Sequence, residues 1–202
     1  MKHTRLLVLI GAAVIIFAGA TFLYSQLSGN DIKDEIDVKE TVSPVRVTSS
    51  PTGKEGIEVG DLAYDFTLTD SKNTEVSLSD FRGKYVILNF WASWCGPCQL
   101  EMPEFQAMQD DITAQGSEAD TVFLTVNLAD GMKETKAIAQ AFIDDKGYTF
   151  PVVFDNMKVS SLYEIYSIPS TFVLDKNGYI VQKFLGSTTQ AALQKALEAA
   201  GQ

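Results

Sequence analysis

The chain has 202 residues, 46% of them hydrophobic and 21% charged, an ordinary globular balance that excludes disorder or a collagen-like repeat over most of its length. With 16 Lys and Arg against 26 Asp and Glu, the net charge is −10, which argues against nucleic-acid binding because phosphate neutralisation needs a basic face. Two cysteines (Cys95 and Cys98) and a single histidine (His3) exclude a disulfide scaffold, a two-histidine zinc site and a Ser-His or Cys-His hydrolase.

Residues Leu6 to Leu23 form 18 positions without a charge. As a helix they span roughly 27 Å, close to the hydrocarbon thickness of a bilayer. Lys2, His3 and Arg5 precede this run, and the first acid is Asp31. That asymmetry predicts a cytoplasmic N-terminus (1–5), a single transmembrane anchor (6–24) and an extracytoplasmic remainder with 14 basic and 26 acidic residues. Ala18-Gly19-Ala20 resembles a signal-peptide cleavage site, but Thr21 to Tyr24 continue the apolar run past it. An uncleaved anchor is therefore the expectation, with cleavage as the alternative. No cysteine ends the span, so a lipid-modified anchor is not expected.

Residues 25–56 are rich in Ser, Thr, Asp, Glu, Lys and Pro without apolar periodicity, and read as a solvated tether of about 30 Å mean reach. A folded domain is expected over 57–202. Ala63 to Leu68 and Glu75 to Leu78 alternate around an Asp70–Asn73 turn, which predicts a hairpin. Lys84 to Trp91 reads as a buried strand. Gly96 to Gln115 reads as a helix that Pro103 should kink. Thr121 to Leu128 is a second buried strand. Lys133 to Lys146 is helical, with Gly147 as its stop. Pro151 to Phe154 is a short strand and Val159 to Tyr166 a short helix. Thr171–Asp175 and Tyr179–Leu185 form a hairpin about Lys176-Asn177-Gly178, and Thr188 to Ala200 closes as an amphipathic helix. This order implies an α/β fold with a mixed central sheet flanked by helices on both faces.

The chemistry concentrates at Trp94-Cys95-Gly96-Pro97-Cys98, where a buried strand runs into a helix. Unpaired N–H groups and the positive dipole end of the first turn favour a thiolate at Cys95, so its pKa should fall below that of a free thiol. Pro97 suits a first turn because its missing N–H is not needed there. Cys98, three residues on, shares nearly the same face and can close a disulfide with Cys95. Cys95 would attack a partner disulfide, and Cys98 would resolve the mixed disulfide. Half of a zinc site and a structural disulfide are weaker readings. Zinc needs four ligands, and so short a loop would restrain the unfolded chain little.

These residues resemble the active site of the thioredoxin superfamily. A wider frame is similar to the membrane-anchored TlpA/ResA type, whose redoxin domain is shared with peroxiredoxins of the AhpC/TSA kind. That frame comprises Phe66 to Leu68, Leu78, Asp80 to Lys84, Asn89 to Cys95 and Glu101-Met102-Pro103. The resemblance covers about Ile57 to Gln202 and implies a thioredoxin-like fold, here with an N-terminal hairpin extension. It implies a cis proline at Pro169 beside the cysteines, although an ordinary trans bond is the bland reading. It also implies that the Ile168 main chain pairs with an extended substrate. Glu101 matches an acid near the active site of ResA-type proteins; it is either a proton relay for Cys98 or a solvated helix residue. Thioredoxins carry a buried aspartate six residues before the first cysteine. Asn89 stands there and cannot titrate, which shifts that role to Glu101 or water. Trp91 and Trp94 are read as packing around the site, with substrate contact as the alternative for Trp94, and Gly96, Pro97 and Pro169 as substrate-facing.

The resemblance implies a protein-disulfide oxidoreductase without metal or other cofactor, acting outside the cytoplasmic membrane. Gly-Pro between the cysteines resembles reducing members. Disulfide-containing protein substrates and a CcdA- or DsbD-type membrane electron donor are the implied partners, with apocytochrome c maturation or recycling of a methionine sulfoxide reductase as possible tasks. A peroxidase is one alternative. Peroxiredoxins place Thr or Ser three residues before the reactive cysteine, however, and Ala92 occupies that position. A non-catalytic binding or chaperone module is the other.

Overall fold

The computed structural model describes residues 53–201. The expected anchor (6–24) and most of the expected tether lie outside the described residues, and no described helix is long and apolar enough to cross a membrane.

Among the described residues there are nine strands: β1 (Glu55–Gly56), β2 (Leu62–Ala63), β3 (Thr67–Thr69), β4 (Glu75–Ser77), β5 (Tyr85–Trp91), β6 (Thr121–Leu128), β7 (Val152–Asp155), β8 (Ser170–Leu174) and β9 (Ile180–Leu185). The helices are α1 (Gly96–Gln115), α2 (Lys136–Lys146), α3 (Lys158–Leu162) and α4 (Gln190–Ala200). A seven-stranded sheet runs β4-β3-β7-β6-β5-β8-β9. Strands β5, β6 and β7 are parallel, whereas β8, β9, β3 and β4 join in antiparallel fashion. This is the mixed sheet that the element order implies.

Strand β5 is buried on both faces, which is why it reads as a continuous apolar run. Its alternate residues enter two different cores. Ile87 and Trp91 pack with Met102 and Phe105 of α1, Ile143 of α2 and Leu193 of α4. Val86, Leu88 and Phe90 pack on the opposite face with Phe66, Leu78, Tyr163 and Phe172. Asn89 shares the parity of Ile87 and Trp91, so this polar residue is delivered to the face that α1 covers. Helix α1 runs on through Pro103, whose missing N–H leaves the Gln99 carbonyl without its usual helical donor.

Several expected boundaries shift. Pairing begins at Glu55, within the stretch assigned to the tether, because Glu55–Gly56 pair in parallel with Leu62–Ala63. The alternating run 63–68 is not one strand: Ala63 ends β2, and only Thr67–Thr69 pair with β4. Helix α2 starts at Lys136 rather than Lys133. An Asp130 turn takes the preceding residues, its Oδ1 accepting from the backbone N–H groups of Met132 (2.8 Å) and Glu134 (2.9 Å), and Thr135 caps the helix. Helix α3 ends at Leu162, before Glu164 with its left-handed φ of 51°.

The topology brings four chain segments to one edge of the sheet. Strands β5 and β6 end there, at Trp91 and Leu128. The antiparallel strand β8 begins there, with Ser170 opposite Phe90, and β9 ends there, with Leu185 opposite Ser170.

Candidate functional site

At that edge Cys95 is the N-cap of α1, and its Sγ accepts from the Cys98 backbone N–H at 3.2 Å. The two cysteines are joined in a disulfide with their Cα atoms 5.2 Å apart. Cys98 is fully buried and Cys95 is 4% exposed, so Cys95 is the more accessible residue of the pair. Pro97 occupies the first turn, as expected. Gly96 and Pro97 are exposed, and a Cβ added at Gly96 would meet nothing within 4 Å. The Ile168–Pro169 bond is cis, and the Ile168 carbonyl oxygen lies 3.6 Å from Cys95 Sγ. The structure thus brings Cys95, Cys98, Gly96, Pro97, Ile168 and Pro169 together.

Glu101 is not a solvated helix residue: it is only 2% exposed. Its Oε1 accepts from the Asn89 side-chain amide (3.2 Å) and its Oε2 from the Thr188 backbone N–H (2.9 Å). Burial pushes its pKa from 4.5 up to about 7, although those two donors favour the charged form. Asn89, in the position of the thioredoxin aspartate, also donates to Thr171 Oγ1 (2.9 Å), directly across the β5–β8 pair. An untitratable amide therefore orients a carboxyl poised near neutrality. The residues after β9 close the same side, with the Ser187 hydroxyl donating to the Pro97 carbonyl (3.0 Å).

Glu134, Lys133, Ser187 and Thr188 were not singled out by sequence. Glu134 is fully buried. Its Oε1 accepts from the Ser93 N–H (2.8 Å) and the Asn127 amide (2.7 Å), and its Oε2 from the Ser93 hydroxyl (2.6 Å). It thereby pins the segment that leads into Cys95. No local pattern announces a contact between residues 41 apart. Only the pairing of β5 with β6 puts their following loops side by side. Glu134→Gln keeps the shape but loses one acceptor oxygen, and should destabilise the oxidised protein by about 1 kcal/mol, read from its urea midpoint.

Trp94 is 46% exposed, with the Lys133 ammonium 3.7 Å from its ring centroid. Trp91 is fully buried and packs against Phe142 at 6.0 Å, in keeping with a packing role. Among the described residues, no group of three or more His, Cys, Asp or Glu side chains could hold a metal ion.

A model of the AhpC/TSA family matches residues 59–183. A thiol-disulfide oxidoreductase ResA of Geobacillus kaustophilus is 40% identical over 148 residues, 73% of this chain and 80% of that protein. The thioredoxin-like protein YneN of Bacillus subtilis is 34% identical, over 71% of this chain and 81% of its own length. Among solved structures, StoA of Bacillus subtilis superposes with a TM-score of 0.57 at 30% identity, covering 66% of this chain and 96% of StoA. A structure described as the thiol:disulfide interchange protein DsbE of Chlorobium tepidum gives a TM-score of 0.62 at 32% identity, covering 72% of this chain and 99% of that one.

Proposed function

We propose, from the premise that this chain belongs to the AhpC/TSA family and is a thioredoxin-like thiol-disulfide oxidoreductase of the ResA, StoA and DsbE type, that it reduces disulfides in partner proteins outside the cytoplasmic membrane. The observation that carries this reading is the position of Cys95 Sγ at the N-cap of α1, held by the Cys98 N–H, on the less buried residue of the pair.

In the reduced protein the Cys95 thiolate attacks one sulfur of a partner disulfide. That S–S bond breaks, a Cys95–partner disulfide forms, and the other partner sulfur leaves as a thiolate that takes a proton. Cys98 gives up its proton and attacks Cys95 Sγ, which expels the second partner thiolate and closes the Cys95–Cys98 bond. The partner gains two electrons and two protons, and the cysteine pair loses them. Glu101, three residues beyond Cys98 on the same helix, is the proposed acceptor of the Cys98 proton, since a carboxyl with a pKa of about 7 exchanges protons readily near neutral pH. Trp94, Gly96, Pro97 and Ile168 are the proposed substrate contacts.

The segment 6–24 is the proposed anchor, which leaves the domain on the extracytoplasmic side. There the pair must be re-reduced through the membrane, and a CcdA- or DsbD-type carrier is the proposed donor. Apocytochrome c maturation and recycling of a methionine sulfoxide reductase both fit this chemistry. A peroxidase fits it less well, because Ala92 is buried and offers no hydroxyl beside Cys95. The deciding measurement is the reduction potential of the Cys95–Cys98 couple, equilibrated against glutathione or dithiothreitol. A reductase should lie below roughly −200 mV, whereas a value near −120 mV, as in strong oxidants, would reverse the direction of electron flow.

A further inference from the structure

The domain is acidic, with 11 Lys and Arg against 21 Asp and Glu over residues 53–201. The exposed side chains around Cys95 do not share that character. Residues 92–100 carry no charge, nor do 165–170 or 184–189. Trp94 is 46% exposed and Tyr166, two residues before Ile168, is 90% exposed. The loop between β6 and α2 adds Met132, 87% exposed, and Lys133. That loop is fastened beside the cysteine segment, because Glu134 holds Ser93 through both its N–H and its hydroxyl. Lys136, at the start of α2, secures its far end by donating to the Asp70 carbonyl (2.6 Å) and to Asn73 Oδ1 (2.7 Å) on the β3–β4 turn.

Lys133 is thus an exposed cation beside the uncharged segments around Cys95, in a loop that also carries the exposed Asp130. Its ammonium rests on the Trp94 ring, and no salt bridge joins it to a carboxylate among the described residues. Asp130 in the same loop feels its charge, but that carboxylate is already engaged by the N–H groups of Glu134 and Met132. A cation stacked on the ring beside the reacting cysteine keeps its remaining N–H donors for an incoming anion.

We propose that Lys133, presented on Trp94 by the β6–α2 loop, selects protein substrates that carry a carboxylate beside the disulfide to be reduced. This rests on the disulfide-reductase reading above. Charge complementarity names the occupant: an extended acidic segment of a partner polypeptide, laid between the Ile168 main chain and the Lys133 ammonium.

The test uses the full-length chain, reduced and freed of reductant. Its rates are measured against peptides of equal length with one disulfide flanked by Asp, Ser or Lys. The wild type should reduce the Asp peptide about fivefold faster than the Lys peptide, with the preference shrinking as salt rises. Lys133→Glu should invert the order and Lys133→Arg should keep it. The ratio within each variant cancels any change in the intrinsic reactivity of Cys95. Equal rates for the Asp and Lys peptides in the wild type would overturn the proposal; that result is expected if residues 25–56 or a second copy of the chain covered this rim. An unchanged ratio in Lys133→Glu would overturn it as well. Reduction of hydroxyethyl disulfide by the wild type, an uncharged probe, separates the two levels: if that fails, the reductase reading itself is wrong.

Discussion

Replacing Cys95 with serine should abolish disulfide exchange, lowering the rate by about a thousandfold or more, since the attacking atom is gone and Cys98 is fully buried. Cys98→Ser should behave in the opposite way at the first step. Cys95 still attacks, but nothing resolves the product, so a covalent Cys95–partner disulfide accumulates. Its mass under non-reducing conditions identifies the partner. The two variants together separate catalysis from mere binding. A binding or chaperone module would leave the phenotype of Cys95→Ser intact, and that result would sink the enzymatic reading. Rapid trapping in Cys95→Ser through Cys98 would instead reverse the assignment of the two sulfurs. Neither variant should lose its fold, because both serines are nearly isosteric with the thiols they replace.

The second large effect concerns Glu101. Its carboxyl titrates near 7 in the folded protein and near 4.5 in the unfolded chain. A raised pKa means that the folded state binds the proton more tightly. The associated stability is complete below pH 4.5 and is lost as the pH rises through about 7. By linkage the wild type should lose about 3 kcal/mol between pH 4 and pH 8 from this group. Glu101→Gln removes the titration, and its urea-denaturation profile over that range should be flatter by that amount. Among the described residues, the buried Asn89 Oδ1 and Thr188 Oγ1, on the two residues that donate to Glu101, have no hydrogen-bond partner. Both proteins are compared in the disulfide form, so that the cysteines do not titrate. Parallel pH profiles would show that the Glu101 carboxyl has the same pKa in the folded and unfolded states. The same variant tests the proton relay. In single-turnover exchange, release of the partner from the Cys95 mixed disulfide should slow, and its pH dependence near 7 should vanish.

Much of this architecture was legible in local pattern. The apolar runs that became β5 and β6, the helix from Gly96 to Gln115 and the Lys176–Gly178 turn are each announced by residue types within the segment itself. The errors fell where a local pattern competed with a distant partner. The alternation from Ala63 to Leu68 reads as one strand, but Leu62–Ala63 are drawn away by Glu55–Gly56. Lys133 to Thr135 look helical, but the Asp130 turn and the buried Glu134 carboxylate hold them out of the helix.

By itself the sequence determined the cysteine pair, its spacing and its place at the head of a helix. A three-residue spacing and a strand-to-helix junction are properties of the chain within a few residues, and backbone geometry permits few outcomes there. Tertiary structure decided what surrounds that pair. Asn89, Glu101, Thr171 and Thr188 meet because β5 lies beside β8 and α1 packs across them. Glu134 reaches Ser93 because β5 and β6 are parallel and end at the same edge. Those contacts join residues up to 87 positions apart, and their free energy comes from burying polar groups against one another, which no stretch of the chain encodes until the sheet has formed.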